Sequence, residues 1–199
     1  MPELILSPAL SSELRALYAD METSYDQVAA ALGHTCTGCP DNCCDSFFLH
    51  YTYCEWACLW EGLRQLDAAS LERVLGRARD YVRESRMILA RSERPQLMCP
   101  LNDAGRCSLY PYRLMICRTH GVPAVLVLPN GKSQRFPGCF RCQELVVGRA
   151  EADIPAMDRT ELYHRLARIE ARFLGEQRRA LPRIRLTIAE MIAGGPPAA

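Results

Sequence analysis

Lysine is almost missing from this chain. Of its 24 basic residues only Lys132 is lysine, and the rest are arginine. Genomic base composition is the simple reading of that bias. Net charge is almost missing too, since 24 basic residues against 23 acidic ones leave +1. No global field therefore draws the chain to nucleic acid or to an anionic membrane. No apolar run approaches the roughly 20 residues of a membrane span. The start, Met1-Pro2-Glu3-Leu4, lacks the basic region and long apolar stretch of a signal peptide. There is no phosphate-binding P-loop, no dinucleotide glycine fingerprint and no nucleophile elbow. Together these predict a soluble cytoplasmic protein without membrane or nucleic-acid partners. Its 199 residues, 49% of them hydrophobic, suffice for one good core and are too apolar for a disordered chain.

Cysteine is in surplus, with 11 residues and an odd count. In a reducing compartment, clustered thiols read as metal ligands or redox groups rather than disulfides. Cys36-x-x-Cys39-x-x-x-Cys43-Cys44 places four thiols within nine residues. Two thiols separated by two residues wrap one metal centre from a tight turn, and the small Thr37 and Gly38 permit that turn. Zinc takes four such ligands in a tetrahedral structural site. Iron–sulfur clusters also take four thiolates. Adjacent Cys43 and Cys44 are hard to aim at one ion, so different irons or different sites suit them better. The second half adds Cys99, Cys107 and Cys117, then a second C-x-x-C in Cys139-Phe140-Arg141-Cys142. The C-x3-C-x2-C run of radical S-adenosylmethionine enzymes is missing.

The apolar spacing predicts a helix over 11–33, capped by Ser11 or Ser12 and stopped at Gly33. Residues 34–46 have loop chemistry. Thr52-Tyr53-Cys54-Glu55 matches a capping box and opens a helix to about residue 66. Trp56, Leu59, Trp60 and Leu63 form its stripe. A third helix covers 70–91. Pro100, Gly105 and Pro111 break up 95–120, with about two helical turns over 111–117. Residues 124–128 and 133–136 read as strands joined by the turn Asn130-Gly131. Asp158 and Glu161 open a helix to about residue 181, and a short helix follows Thr187. The tail over 194–199 is expected to fray. The expected fold is mainly α (small α+β), with helices around a cysteine-ligated metal core and one β-hairpin. It is read as a single domain over 1–199. The cysteine-cluster core covers about 34–145, with helical extensions at 9–33 and 155–193.

The run from Cys36 to Cys44, the element Cys99-Pro100-Leu101, and the stretch Cys107-x-Leu109-Tyr110-x-x-Arg113 running to Cys117-Arg118 carry a resemblance. Over about residues 36–142 the chain resembles the YkgJ-type cysteine-cluster family, also described as the zinc- or iron-chelating CxxCxxCC domain. It departs at Leu114, where the family commonly has proline. The resemblance implies metal binding by the shared cysteines, most plausibly as an iron–sulfur cluster. Some relatives are described as flagellin lysine N-methylases, which keeps an iron-dependent enzyme acting on a peptide or protein as an alternative. A structural zinc module is the third reading.

Nine cysteines lie in the motif regions: 36, 39, 43, 44, 99, 107, 117, 139 and 142. A single four-ligand site leaves five unused, so more than one centre is expected: two 4Fe-4S clusters, or one cluster with a zinc. The metal would tie the first loop to the second region, making metal binding part of the folding free energy. Tyr110, Arg113 and Arg118 flank the ligands, and arginine there would donate hydrogen bonds or charge to a thiolate cluster, with a surface salt bridge as the plain alternative. Cys54 and Cys58 share the helix face opposite the tryptophan stripe, and either pack as small apolar residues or look toward the cluster. Of His34, His50, His120 and His164, His34 and His120 lie nearest cysteines, yet hydrogen-bonded or exposed histidines are the expectation. Asp41 and Asp45 read as turn residues. Arg165, Arg168 and Arg172, with Arg178, Arg179, Arg183 and Arg185 beyond, read as an ion-paired solvated face. The expected role is electron transfer, redox sensing or maturation toward an unidentified protein or peptide partner.

Overall fold

The computed structural model describes residues 2–37, 39 and 43–199. Helix α1, Pro8–Leu32, begins with proline in its first turn, where the missing N–H is harmless. It starts three residues ahead of the expected boundary. Ser11 is therefore inside the helix, buried, and accepts a hydrogen bond from Arg15 Nη1 at 2.8 Å. Gly33 ends α1 as expected. With φ at +63°, its N–H donates to Ala30 O and the next N–H, of His34, donates to Ala29 O. This paired closure is open to glycine because it lacks Cβ.

Helix α2 is Tyr53–Leu63 and α3 is Ala68–Leu89. Thr52 is the N-cap of α2, but its hydroxyl donates to Glu55 Oε2 at 2.7 Å instead of accepting a backbone N–H. The carboxylate of Glu170 caps the helix in its place, accepting from Tyr53 N and Cys54 N at 2.9 and 2.8 Å. The expected helix over 111–117 is two pieces, a one-turn 3-10 helix Tyr110–Tyr112 and α4, Met115–Thr119. Arg113 between them is extended, with ψ at 133°, and breaks the helical hydrogen-bond run. Helix α5 is Phe140–Val146 and α6 is Thr160–Leu174, the latter continued by a 3-10 segment Gly175–Arg179. Helix α7, Ile188–Ala193, opens on a full capping box between Thr187 and Glu190.

The expected hairpin forms from β3, Ala124–Val127, and β4, Ser133–Phe136. Two further strand pairings join it. Asn102–Asp103 (β1) and Arg106–Cys107 (β2) form a second hairpin across Ala104 and Gly105, both at positive φ. Met157–Asp158 (β5) lies parallel to β3. The fold class is mainly α with a small β component, and the described residues hold two hairpins where one was expected.

The chain forms two compact units. The first comprises Met1–Pro8, Asp41–Leu114 and Glu170–Ala199; the second comprises Ala9–Pro40 and Met115–Ile169. In the first, Leu59 and Leu63 of α2, Val74 and Ala78 of α3, Leu101, Leu109 and Leu114, and Met191 and Ile192 of α7 form one core. Trp56 and Trp60 border it, and both indole N–H groups donate to Met191 O. The C-terminal tail is held rather than frayed. Leu4 N–H donates to Pro197 O at 2.8 Å, and Ala199 N–H donates to Pro2 O at 3.0 Å. In the second unit Leu14, Leu17, Tyr18 and Met21 of α1 are buried, as are Leu162, Leu166 and Ile169 of α6 at helical spacing. No helix among the described residues is long and apolar enough to cross a membrane.

Candidate functional site

Four of the nine expected ligands lie in the first unit: Cys43, Cys44, Cys99 and Cys107. Cys43 and Cys44 open a one-turn 3-10 helix ending at Asp45. Cys99 N–H donates to Cys44 O at 2.9 Å, which joins the two cysteine-bearing stretches. Asn102 N–H returns to Cys99 O at 2.9 Å and starts β1, where Asn102 stands opposite Cys107. The Cys44 thiol is brought down to about 6. A hydrogen bond from the Cys43 side chain is the largest cause, helped by the Asn102 amide and the Arg113 charge and opposed by burial and Asp45. Asn102 Nδ2 is buried and has no partner at full hydrogen-bond geometry, so it stands beside this thiol as a donor with unused capacity. Arg113 in turn stacks over the Tyr110 ring at 4.8 Å.

The other five expected ligands, Cys36, Cys39, Cys117, Cys139 and Cys142, lie in the second unit. The closure of α1 delivers His34 and then Cys36, whose Sγ is 3.9 Å from the Tyr25 hydroxyl. Cys39 N–H donates to Cys36 O at 3.1 Å, the tight turn that C-x-x-C spacing predicts. Cys117 is on α4 and Cys139 is the N-cap of α5. Cys139 N–H donates to Gly121 O at 2.9 Å, and its Sγ is 4.0 Å from His34 Nε2. Burial, then the neighbouring Cys139, pushes the Cys142 thiol up to about 11. Burial and the Arg141 charge lower the His34 ring below its ordinary value. Arg118 turns to α1, with its guanidinium 4.4 Å over the Tyr18 ring and an ion pair to Glu22 at 3.7 Å.

Cys54 and Cys58 are fully buried, so α2 is covered on its cysteine face as well as on its tryptophan stripe. Burial, Glu170 and Glu55 hold the Cys54 thiol well above its ordinary value. That is the state of a packed small side chain. Among the arginines of α6, Arg165 pairs with Asp20 at 2.6 Å and Arg168 with Glu161 at 2.5 Å. His164 lies 3.8 Å from Glu161. Asp45 accepts from Gln96 Nε2 at 3.1 Å, while Asp41 and Gly38 lie outside the described residues. His50 is buried with neither ring nitrogen partnered, and burial pushes it down to about 4.

The sequence reading missed Asn102 and Glu170. Asn102 carries a faint signal, because it follows Cys99-Pro100-Leu101 directly and is followed three residues later by a glycine. Glu170 carries none, since it sits in a helix whose arginines mark it as solvated. Among the described residues, no three His, Cys, Asp or Glu side chains gather closely enough to hold a metal ion; the contacts above are pairwise. The chain matches no family model, no curated protein and no solved structure.

Proposed function

We propose that the first unit binds an iron–sulfur cluster through Cys43, Cys44, Cys99 and Cys107, for electron transfer, redox sensing or maturation toward a protein or peptide partner. One observation carries this reading: the Cys44 thiol, brought down to about 6, stands beside the Cys43 thiol, the buried Asn102 amide nitrogen and the Arg113 charge. Metal binding needs thiolates, and Cys44 supplies one at neutral pH without displacing a proton. The donor set fits the group in chemistry, with four thiols on two stretches that the Cys99 N–H to Cys44 O bond links through the backbone. The side chains of Cys99 and Cys107 would have to turn toward Cys44 to complete it. When bound, such a cluster supplies one-electron chemistry. The chain's own contribution is positioning and charge. Asn102 offers an N–H to sulfur, and Arg113, held by Tyr110, offsets the negative charge that four thiolates bring, which favours the reduced state. The resemblance to the YkgJ-type family implies metal binding by its shared cysteines, among which are Cys43, Cys44, Cys99 and Cys107.

The test is anaerobic purification with iron, zinc and acid-labile sulfide analysis and an absorption spectrum. Iron with equimolar sulfide, and a brown colour that bleaches on reduction, is the expected result. Stoichiometric zinc with neither iron nor sulfide replaces this reading with a structural zinc module. A spectrum that shifts on adding S-adenosylmethionine would instead favour an enzyme with an open iron.

A further inference from the structure

The arginines change their surroundings at the end of α6. Arg165 and Arg168 are ion-paired, to Asp20 and Glu161. Arg178, Arg179, Arg183 and Arg185 are all exposed, and none has an acidic partner among the described residues. Five arginines against Glu176 alone give residues 172–186 a net +4, so the remainder of a chain at +1 carries −3. The two carboxylates that flank this stretch are committed elsewhere, Glu170 to the start of α2 and Glu190 to Thr187. Residues 182–185 run without helix or turn. His50 and Leu186 exchange N–H to O bonds as an antiparallel bridge, and Tyr53 Oη donates to Pro182 O at 3.0 Å, so residues 50–53 run alongside 182–186. Side chains then alternate. Ile184 and Leu186 pack on the core of the first unit, while Arg183 and Arg185 are exposed. One step from the bridge, the register sets Tyr51 opposite Arg185, and Tyr51 is 57% exposed. In an antiparallel pair the N–H and C=O groups of successive residues point to opposite edges. Those of Leu186 meet His50. Those of Arg183 and Arg185 therefore point to the other edge, and none of them has a backbone partner among the described residues.

We infer that this edge binds an extended acidic segment of a partner protein. The segment pairs its backbone with Arg183 and Arg185 and lays the carboxylates of every second residue against their guanidinium groups. Three features select this partner. Open N–H and C=O groups along an edge take a polypeptide, which a phosphate backbone cannot match. Guanidinium forks meet carboxylates with two parallel hydrogen bonds. Tyr51 sets an apolar ring with a polar tip across from Arg185, and tyrosine and arginine are the side chains that anchor protein interfaces. Arg178 and Arg179, on the 3-10 segment Gly175–Arg179, add charge that speeds encounter. The inference rests on the proposed function only in giving its protein or peptide partner a chemistry, and it needs no bound cluster.

The test titrates the full-length protein into a fluorescein-labelled peptide of about ten residues that alternates Glu and Thr. Anisotropy reads binding at about 0.1 M salt, where charges more than about 10 Å apart are screened. Saturable binding is expected. Arg183→Ser/Arg185→Ser should weaken it at least about tenfold. Arg91→Ser/Arg149→Ser removes the same charge from exposed sites elsewhere and should change it less than about twofold. The same peptide with its backbone nitrogens methylated keeps its charge and should bind at least about tenfold more weakly. Urea midpoints equal to the parent's show that the variants fold. No saturation by about 0.3 mM protein, equal loss in the two double variants, or full affinity of the methylated peptide overturns the inference. So does an oligothymidylate of about ten nucleotides that binds more tightly than the peptide and loses affinity in Arg183→Ser/Arg185→Ser, which would make the edge a nucleic-acid site. Iron and sulfide measured on the same samples report the cluster separately, so either proposal can fail alone.

Discussion

Cys44 and Cys142 carry the same side chain in opposite surroundings. Cys44 receives a hydrogen bond from Cys43 and the fields of Asn102 and Arg113, and falls to about 6. Cys142 loses its water to burial, faces Cys139, and rises to about 11. The first is largely thiolate at neutral pH; the second, held up mainly by burial, stays protonated there. Cys54, buried beside Glu170 and Glu55, belongs with Cys142. A variant pair follows from the contrast. Cys44→Ser should remove most of the bound iron and sulfide. Cys54→Ala should leave metal content unchanged and lower stability by about 1 kcal/mol or less. Metal analysis of both, alongside urea unfolding, checks the assignment, and equal metal loss would contradict it.

At the scale of elements, α2 depends on groups far from it in sequence. Its first two N–H groups end on the Glu170 carboxylate. A helix start without partners leaves orphan donors, and hydrogen bonds to a charged acceptor are among the stronger ones. Glu170→Gln keeps one acceptor and turns an NH2 toward the other donor. Its expected cost is about 1–3 kcal/mol, read as a lower urea midpoint with unchanged m. The other end of α2 is set by size. A Cβ on Gly62 would lie 2.5 Å from Tyr112 Cγ, near the root of the ring, where a rotamer change gives little relief. Gly62→Ala gains about 1 kcal/mol in helix propensity but drives the Tyr110–Tyr112 turn away. Net destabilisation of about 1–2 kcal/mol is expected, because overpacking outweighs propensity. A more stable Gly62→Ala protein would show that the turn moves freely.

For the whole molecule, buried His50 couples stability to pH. Its backbone exchanges hydrogen bonds with Leu186, N–H to O at 2.7 Å and the return at 3.0 Å, while its ring has no partner. The folded state binds its proton only near pH 4, whereas the unfolded chain binds it near 6.5, the ordinary value of a free imidazole. Stability from neutral His50 is therefore complete above pH 6.5 and drains away as pH falls toward 4. The total is about 3 kcal/mol, at about 1.4 kcal/mol per pH unit. His50→Leu should flatten that part of the stability profile by about one proton. Denaturant midpoints taken between pH 4 and 7 measure it, and an unchanged slope would place the titration elsewhere.

Periodicity and turn chemistry determined the long helices, the stop at Gly33 and the β3–β4 hairpin, because each is written in neighbouring residues. The thiol spacing, too, is a property of the chain itself. The β1–β2 hairpin was not, because Ala104-Gly105 takes positive φ without the Asn-Gly or Asp-Gly signature. β5, two residues long, is too short to show a period. The Glu170 cap and the buried Asn102 and His50 rest on packing between distant segments, which no local pattern records. Folding also decided how the nine cysteines divide. The continuous run from Cys36 to Cys44 gives Cys36 and Cys39 to one unit and Cys43 and Cys44 to the other. A sequence motif is one-dimensional, while metal ligation needs sulfurs brought together in space, so only the tertiary structure decides which side chains can meet.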